Sequence, residues 1–114
     1  MKEIKAYVRI RIVEQVVRAL EEAGYHNLTI IDVSGLGRLA DSKETKYSIK
    51  FVEKYSKVAK IELVCRDVDV DTLLQVIQKT ACTHQPGDGI MFVSPVERAM
   101  KIRTCEEGEQ ILQN

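Results

Sequence analysis

Tryptophan is absent from the sequence, and proline, cysteine and aromatic residues are scarce. The 114 residues include two prolines, three cysteines and 5% aromatic residues. Because Cys65, Cys82 and Cys105 are odd in number and lack C-x-x-C spacing, reduced thiols are favoured over a disulfide framework or a zinc site. No apolar run reaches the length of a membrane span, and the first residues do not resemble a signal peptide. We therefore expect a cytoplasmic protein with no direct membrane insertion.

An excess of charge of either sign is also missing. Seventeen basic residues balance seventeen acidic ones, so bulk electrostatics give no reason to expect a nucleic-acid partner. Any anion-binding site must therefore be formed by a few local groups. The length fits one domain, spanning residues 1–114, and 45% apolar residues are enough to build a buried core.

Hydrophobic periodicity predicts strands and two helices. Alternating or β-branched apolar runs predict strands, and apolar residues at helical spacing predict helices near 13–24 and 70–81. The order strand, helix, strand, strand, helix, strand is typical of an α+β ferredoxin-like sandwich, an antiparallel sheet with both helices on one face. The predicted strands are 2–12, 28–33, 58–65 and 90–93, with a short extra strand at 99–104.

The sheet face turned away from the helices is predicted to be apolar. Its members would leave a surface too hydrophobic to stand bare in water, so we expect copies of the same chain to cover it. The apolar residues assigned to this face are Tyr7, Ile31, Val33, Val64 and Phe92.

A long irregular segment separates the second and third strands. It is rich in Lys, Glu, Ser and Thr, and its apolar or aromatic members include Tyr47, Phe51 and Tyr55. Segments of this size in compact domains are functional or simply solvated. Contact with a partner is the interpretation that we favour.

The segment Thr83 to Gly89 is predicted to be a tight loop between a helix and a strand. Two glycines and Pro86 lie within its seven residues, and backbone amides gathered in this way can bind an anion such as phosphate. A plain turn is the alternative. Lys101 and Arg103 are candidate cations for the same anion, because a period of two places both on one face of the predicted last strand.

Catalytic chemistry has little support in the sequence. His26 and His84 are the only histidines that could serve as general bases, and no nucleophile elbow or Walker motif is present, so we predict that the protein is not an enzyme. A slow nucleotide hydrolase remains an alternative, although the sequence offers no residue that can be named as its general base. Cys82 and His84, with Cys105 as a third candidate, leave a metal-binding regulator as another alternative, although two ligands do not make a site.

Several motifs occur together in an order that resembles the PII signal-transduction proteins, and the similarity runs over nearly the whole chain. This resemblance implies a homotrimeric sensor that binds ATP or ADP between subunits and contacts a target through a T-loop, here residues 37–55. It also favours a nucleotide loop over a plain turn at 83–89. The motifs are Gly35-Leu36-Gly37-Arg38, Gly87-Asp88-Gly89 and Ile102-Arg103-Thr104, the last followed by Glu106 and Gly108 in the C-terminal segment 101–114.

The resemblance also implies the residues of the nucleotide site. One group would lie against adenine and ribose, and a second, from the 83–89 loop and nearby cations, would meet the phosphates. The implied partner-binding residues lie in the T-loop and are Tyr47, Phe51 and Tyr55. The implied nucleotide-binding residues are Thr29, Gly35, Gly37, Arg38, Glu62, Val64, Pro86, Gly87, Asp88, Gly89, Lys101 and Arg103.

The sequence departs from the family pattern at five informative positions. Leu39 replaces a glutamine that helps hold Mg-ATP with 2-oxoglutarate, and Val58 stands where a lysine usually contacts 2-oxoglutarate. Ile90 replaces a phosphate-binding lysine, and Lys101 replaces an arginine. Phe51 replaces the tyrosine that is uridylylated. Since these losses weaken contacts to metal and phosphate, they should disfavour ATP most.

The departures favour a divergent, PII-like regulator of a target transporter or enzyme. We predict that it prefers ADP or AMP to Mg-ATP and does not respond to 2-oxoglutarate, and no metal cofactor is predicted. PII-like relatives are associated with inorganic-carbon handling such as bicarbonate transport, so the resemblance makes a similar link one expectation for this protein. The alternative within the family is a standard nitrogen-regulatory PII protein.

Overall fold

The computed structural model describes residues 1–34 and 57–112. The elements follow the predicted order of strand, helix, strand, strand, helix, strand, with short 3-10 helices at Ile10–Ile12, Asp67–Asp69 and Glu109–Leu112. None of the described helices is long and apolar enough to cross a membrane. The main elements are β1 (Lys2–Arg9), α1 (Val13–Glu22), β2 (Thr29–Ser34), β3 (Lys57–Cys65), α2 (Val70–Ala81) and β4 (Gly89–Pro95).

The four strands form one sheet in the order β2-β3-β1-β4, and every neighbouring pair is antiparallel. Strand β1 therefore lies inside the sheet, between β3 and β4. This order places the two β-α-β halves side by side and confirms the predicted ferredoxin-like fold.

The core lies between the sheet and both helices. Alternate residues of β1 and β3 point to one face, where they meet the apolar stripes of α1 and α2. This arrangement confirms that both helices cover the same face. The largest fully buried side chains of the core are Ile4, Val8, Val16, Leu20, Ile61, Cys65, Leu73 and Ile77.

Helix α1 ends where the sequence predicts, and Gly24 supplies the reason. Its φ of +95° lies in the left-handed region that favours glycine. The Tyr25 amide donates to the Leu20 carbonyl at 2.9 Å, and the Gly24 amide donates to the Glu21 carbonyl at 2.9 Å. These two bonds form a Schellman motif, which satisfies the last carbonyls and turns the chain toward β2.

The first strand is shorter than predicted. Alternation continues to Ile12, but the pairing ladder stops at Arg9 opposite Val58 on one side and at Val8 opposite Gly89 on the other. Beyond these points the chain turns into a 3-10 helix at Ile10–Ile12, and Ile10 is exposed.

The predicted extra strand at 99–104 is wrong. The chain instead folds back on itself in a turn at 102–104, and its single bridge joins Met100 to Glu107. The Lys101 amide donates to the Glu106 carbonyl, the Cys105 amide donates to the Lys101 carbonyl, and Cys105 has a φ of +61°. Since this segment pairs with itself, no strand face holds Lys101 and Arg103 together, and the period-of-two argument for them does not apply.

The sheet face away from the helices carries much of the predicted apolar surface. Phe92 is 52% exposed and meets the Tyr7 ring edge to face, with 6.1 Å between centroids. Ile31 is also exposed, and Val64 is half-buried. The side chain of Val33 lies outside the described part of the chain. This face combines aromatic and aliphatic side chains that a single chain leaves uncovered.

Candidate functional site

Part of the predicted site lies outside the described residues. The structure describes neither the glycine-rich entrance to the long segment nor the segment itself. The predictions that fall there concern Gly35, Gly37, Arg38, Leu39, Tyr47, Phe51 and Tyr55.

The loop between α2 and β4 is closed by the Asp88 carboxylate. The Thr83 amide donates to Asp88 Oδ2 at 2.7 Å, and the Thr83 hydroxyl donates to Asp88 Oδ1. Burial opposes ionisation of this carboxyl, but the Thr83 hydrogen bonds and the nearby Arg9 outweigh it, so the pKa of Asp88 lies below its ordinary value. Asp88 is therefore ionised at neutral pH, and its charge is directed into the loop.

Arg9, from the end of β1, lies against the same loop. Its Nη2 donates to the Pro86 carbonyl, and its Nε lies 3.6 Å from Asp88 Oδ1. The guanidinium thus contacts the loop across 77 positions of sequence. The pattern of β1 places Arg9 on the polar side of the strand, but nothing in that pattern indicates this contact. The signal that sequence reasoning missed is an arginine at the last paired position of a central strand.

Two glycines allow the loop to approach β1. Gly87 has a φ of +96°, and an added Cβ there would lie 2.8 Å from Arg9 Nη2. Gly89 has a φ of +110°, and an added Cβ would lie 1.7 Å from the carbonyl oxygen of Tyr7. The Gly-Asp-Gly motif therefore has a physical basis, because both glycines have positive φ and Gly89 also passes too close to the β1 backbone for a side chain.

A cleft of about 270 Å³ opens beside this loop. It lies between the end of α2 and the adjoining parts of β1 and β4, and its walls are mainly apolar. Asp88 and Gly89 form its polar edge. The remaining lining residues are Tyr7, Val8, Ile77, Gln78, Ala81, Cys82, Ile90 and Met91.

The residues predicted to contact adenine and ribose lie elsewhere on the sheet. Thr29, at the start of β2, pairs in register with Glu62 of β3. Lys60 Nζ forms an ion pair with Glu62 Oε1 at 3.0 Å. Val64 follows on the same face of β3 and lines a second cleft of about 250 Å³. In that cleft burial and a hydrogen bond to Asp69 raise the pKa of Tyr25 to about 12.

One chain does not bring the two predicted halves of the site together. Glu62 is level with Lys5 of β1, whereas Gly89 is level with Val8. Strands β3 and β4 have β1 between them. The separation is therefore about 10 Å across the sheet and about 10 Å along it. On one chain these two groups of described residues therefore lie on different strands and at different levels of the sheet.

The tail cations are exposed and lie in the turn region described above. Among residues 1–34 and 57–112, the side chains of Lys101 and Arg103 have no ion-pair partner. The turn is closed instead by Arg98, which donates twice to Glu107 Oε1 at 3.0 and 2.7 Å. Both cations are therefore available to an anion, although the structure does not place them against the 83–89 loop.

The sulfur and imidazole groups next to the loop form only a pair. Cys82 Sγ lies 3.6 Å from His84 Nδ1, and His84 has a φ of +62°. Within the described ranges, no three His, Cys, Asp or Glu side chains come together to hold a metal ion. Two ligands from one chain fall short of the four that a structural zinc site uses.

Comparison with known proteins gives these features a family. The family model described as nitrogen regulatory protein P-II matches residues 1–106. The chain is 41% identical over 114 residues to nitrogen regulatory protein P-II 2 of Methanothermobacter thermautotrophicus, with 96% of each covered. It is 38% identical over 109 residues to nitrogen regulatory protein P-II of Rhodobacter capsulatus, with 96% of this chain and 97% of the relative covered.

The fold leads to the same family. The crystal structure of Arabidopsis thaliana PII bound to citrate matches with a TM-score of 0.79 at 28% identity, covering 99% of this chain and 90% of that one. The Gly-Asp-Gly loop, the strand order and a family match that runs almost from end to end together show that this chain belongs to the nitrogen regulatory protein P-II family.

Proposed function

We propose that this P-II family protein senses an adenine nucleotide between subunits and signals its occupancy to a target through residues 37–55. The observation that carries the proposal is the 83–89 loop. Its two glycines have positive φ, the Thr83 amide and hydroxyl donate to Asp88, and Arg9 lies beside that carboxylate. Backbone amides in such a loop suit phosphate, and the family resemblance supplies adenine as the base.

The proposed assembly is a homotrimer. The exposed sheet face around Tyr7 and Phe92 supports it, because an aromatic pair left in water favours burial against another copy. The distance between the Thr29–Glu62 pair and the 83–89 loop supports it as well, since neighbouring chains would complete each other's site.

We expect a solution mass of three chains, each of 12.9 kDa, at micromolar concentration. Light scattering coupled to size-exclusion chromatography measures this mass directly. A monomeric mass across the concentration range would contradict both the trimer and a site shared between subunits.

The proposed preference is for ADP or AMP over Mg-ATP, without a response to 2-oxoglutarate. Ile90 supports it, because it is the second residue of β4, directly after the loop, and offers an aliphatic side chain where a lysine would reach phosphate. Lys101 gives a single charged donor group where an arginine would bind two oxygens at once. Leu39 has no oxygen atom in its side chain, so it cannot replace the family's glutamine in holding Mg-ATP.

Calorimetric titration with AMP, ADP and Mg-ATP tests this preference, with and without 2-oxoglutarate and bicarbonate. We expect ADP or AMP to bind about tenfold more tightly than Mg-ATP, since one charged hydrogen bond contributes about 1.5 to 3 kcal/mol. Binding of Mg-ATP that 2-oxoglutarate strengthens would reject the preference. Absence of binding by all three nucleotides would reject nucleotide sensing.

A second candidate is the standard nitrogen-regulatory role. The observation that favours it is that relatives at 35–41% identity are named nitrogen regulatory protein P-II. The same titration separates the two candidates, because cooperative binding of Mg-ATP and 2-oxoglutarate belongs only to this second one. Either role is regulatory, with a target transporter or enzyme as the partner.

A further inference from the structure

We propose that Arg9 is a positioning residue that neutralises Asp88 and thereby allows the 83–89 loop to accept a phosphate chain. The inference rests on the proposed nucleotide site and deepens it. Its starting point is a conflict within the loop, because an ionised carboxylate lies where an anionic ligand is expected to bind. A negative charge there repels phosphate unless a nearby cation compensates it.

Arg9 is placed to provide that compensation. Among the described residues, it is the only cation within 4.0 Å of the Asp88 carboxylate. The side chain of Arg9 is only 16% exposed and that of Asp88 only 22% exposed, so water screens the pair less than it screens a surface ion pair. The Thr83 hydrogen bonds orient the carboxylate but bring no positive charge.

The guanidinium also sets the shape of the loop. It donates to the Pro86 carbonyl, lies directly beneath Gly87, and faces Asp88, so it contacts three consecutive residues. Its Nε is buried without a hydrogen-bond acceptor, and Asp88 Oδ1 lies 3.6 Å from it, so the two groups interact there as an ion pair. Because Arg9 ends a strand held on both sides by pairing, its position is fixed by the sheet.

The charge role and a purely structural role predict different binding patterns. If Arg9 only supports the loop, its removal weakens all adenine nucleotides by a similar factor. If it neutralises Asp88, the loss grows from AMP to ADP to ATP, because each added phosphate increases the repulsion, and added salt reduces the loss. Removing the Asp88 charge as well should then restore binding.

The test compares the full-length wild type with Arg9→Gln, Asp88→Asn and the double variant by calorimetry at low and high salt. Arg18→Gln is the matched control, because it removes the same charge from an exposed i,i+4 pair with Glu14 on α1. We expect Arg9→Gln to weaken ADP about tenfold or more at low salt and AMP by less. The double variant should regain most of that loss, and Arg18→Gln should bind as the wild type does.

A second measurement does not depend on nucleotide. The Thr83 amide donates to Asp88, so its hydrogen exchange by NMR reports loop closure in the free protein. We expect faster exchange at Thr83 in Arg9→Gln and no change in Arg18→Gln.

The outcomes separate the two proposals. A wild-type chain that binds no nucleotide overturns the proposed function, and Thr83 exchange then still decides whether Arg9 positions the loop. Equal losses for AMP and ADP at both salt concentrations, without recovery in the double variant, overturn the neutralising role of Arg9. Unchanged Thr83 exchange in Arg9→Gln overturns its positioning role.

Discussion

The Gly89→Ala variant is expected to lose about 2 to 5 kcal/mol of unfolding free energy. Two costs add. A residue with a Cβ at positive φ costs about 1 to 2 kcal/mol, and forcing extra atoms into a packed position costs about 1 to 3 kcal/mol. Both apply here, because Gly89 has a φ of +110° and the new Cβ would lie 1.7 Å from a backbone oxygen of Tyr7. Relief of that clash requires the β1–β4 pairing to shift where the loop joins the sheet.

Gly24→Ala is the matched control for this prediction. Gly24 also has a positive φ, +95°, but an added Cβ would meet no atom within 4 Å. It should therefore show only the backbone cost of about 1 to 2 kcal/mol. Urea denaturation followed by circular dichroism, at matched protein concentrations, measures both variants. Equal losses of unfolding free energy at Gly24 and Gly89 would show that close approach to β1 does not explain why residue 89 is a glycine.

Much of the fold follows from local patterns in the sequence. In β1, a period of two separates Ile4, Ala6 and Val8 from their polar neighbours, and all three are buried. Burial of apolar area is not directional, so a correct period is enough to assign the core face. Helix α1 ends at its glycine for an equally local reason, the left-handed angle that closes a Schellman motif.

The errors occur where an element depends on distant partners. Alternation alone extends β1 to Ile12, but the strand ends at Arg9 and the chain turns into a 3-10 helix. The tail reads as a strand, yet the bonds of Lys101 with Cys105 and Glu106 close it into a turn. No local pattern reveals whether a strand partner exists, so the ends of strands and the pairing of the tail are the least predictable features.

The candidate site shows the same division. The glycines of the 83–89 loop indicate a tight turn from the sequence. The family resemblance assigns Thr29 and Glu62 to the adenine and ribose group, and the two residues lie in register on neighbouring strands. Arg9 could not be assigned in this way. Its partner Pro86 lies 77 positions away, and only the assembled sheet brings the guanidinium beneath the loop. The nucleotide roles of these residues stay predictions.

The Ile90→Lys variant is expected to bind ADP and Mg-ATP about tenfold or more tightly than the wild type. Ile90 directly follows the 83–89 loop, lies opposite Tyr7, lines the 270 Å³ cleft and is 37% exposed. A lysine can therefore extend from this position without a large cost in burial. A new charged hydrogen bond to phosphate contributes about 1.5 to 3 kcal/mol, and each 1.4 kcal/mol is tenfold in affinity. The gain for AMP should be smaller, because AMP carries fewer phosphate oxygens.

Val68→Lys is the control, because it adds the same charge at a 77% exposed apolar residue beside the start of α2, whereas the loop follows the end of that helix. Calorimetry of both variants with all three nucleotides separates a local contact from the change in net charge. A gain at Ile90 and none at Val68 would mean that the aliphatic side chain limits the number of phosphates the loop holds. Equal affinities in the wild type and Ile90→Lys would instead place the phosphates away from the start of β4, and the preference for ADP or AMP would lose its structural basis.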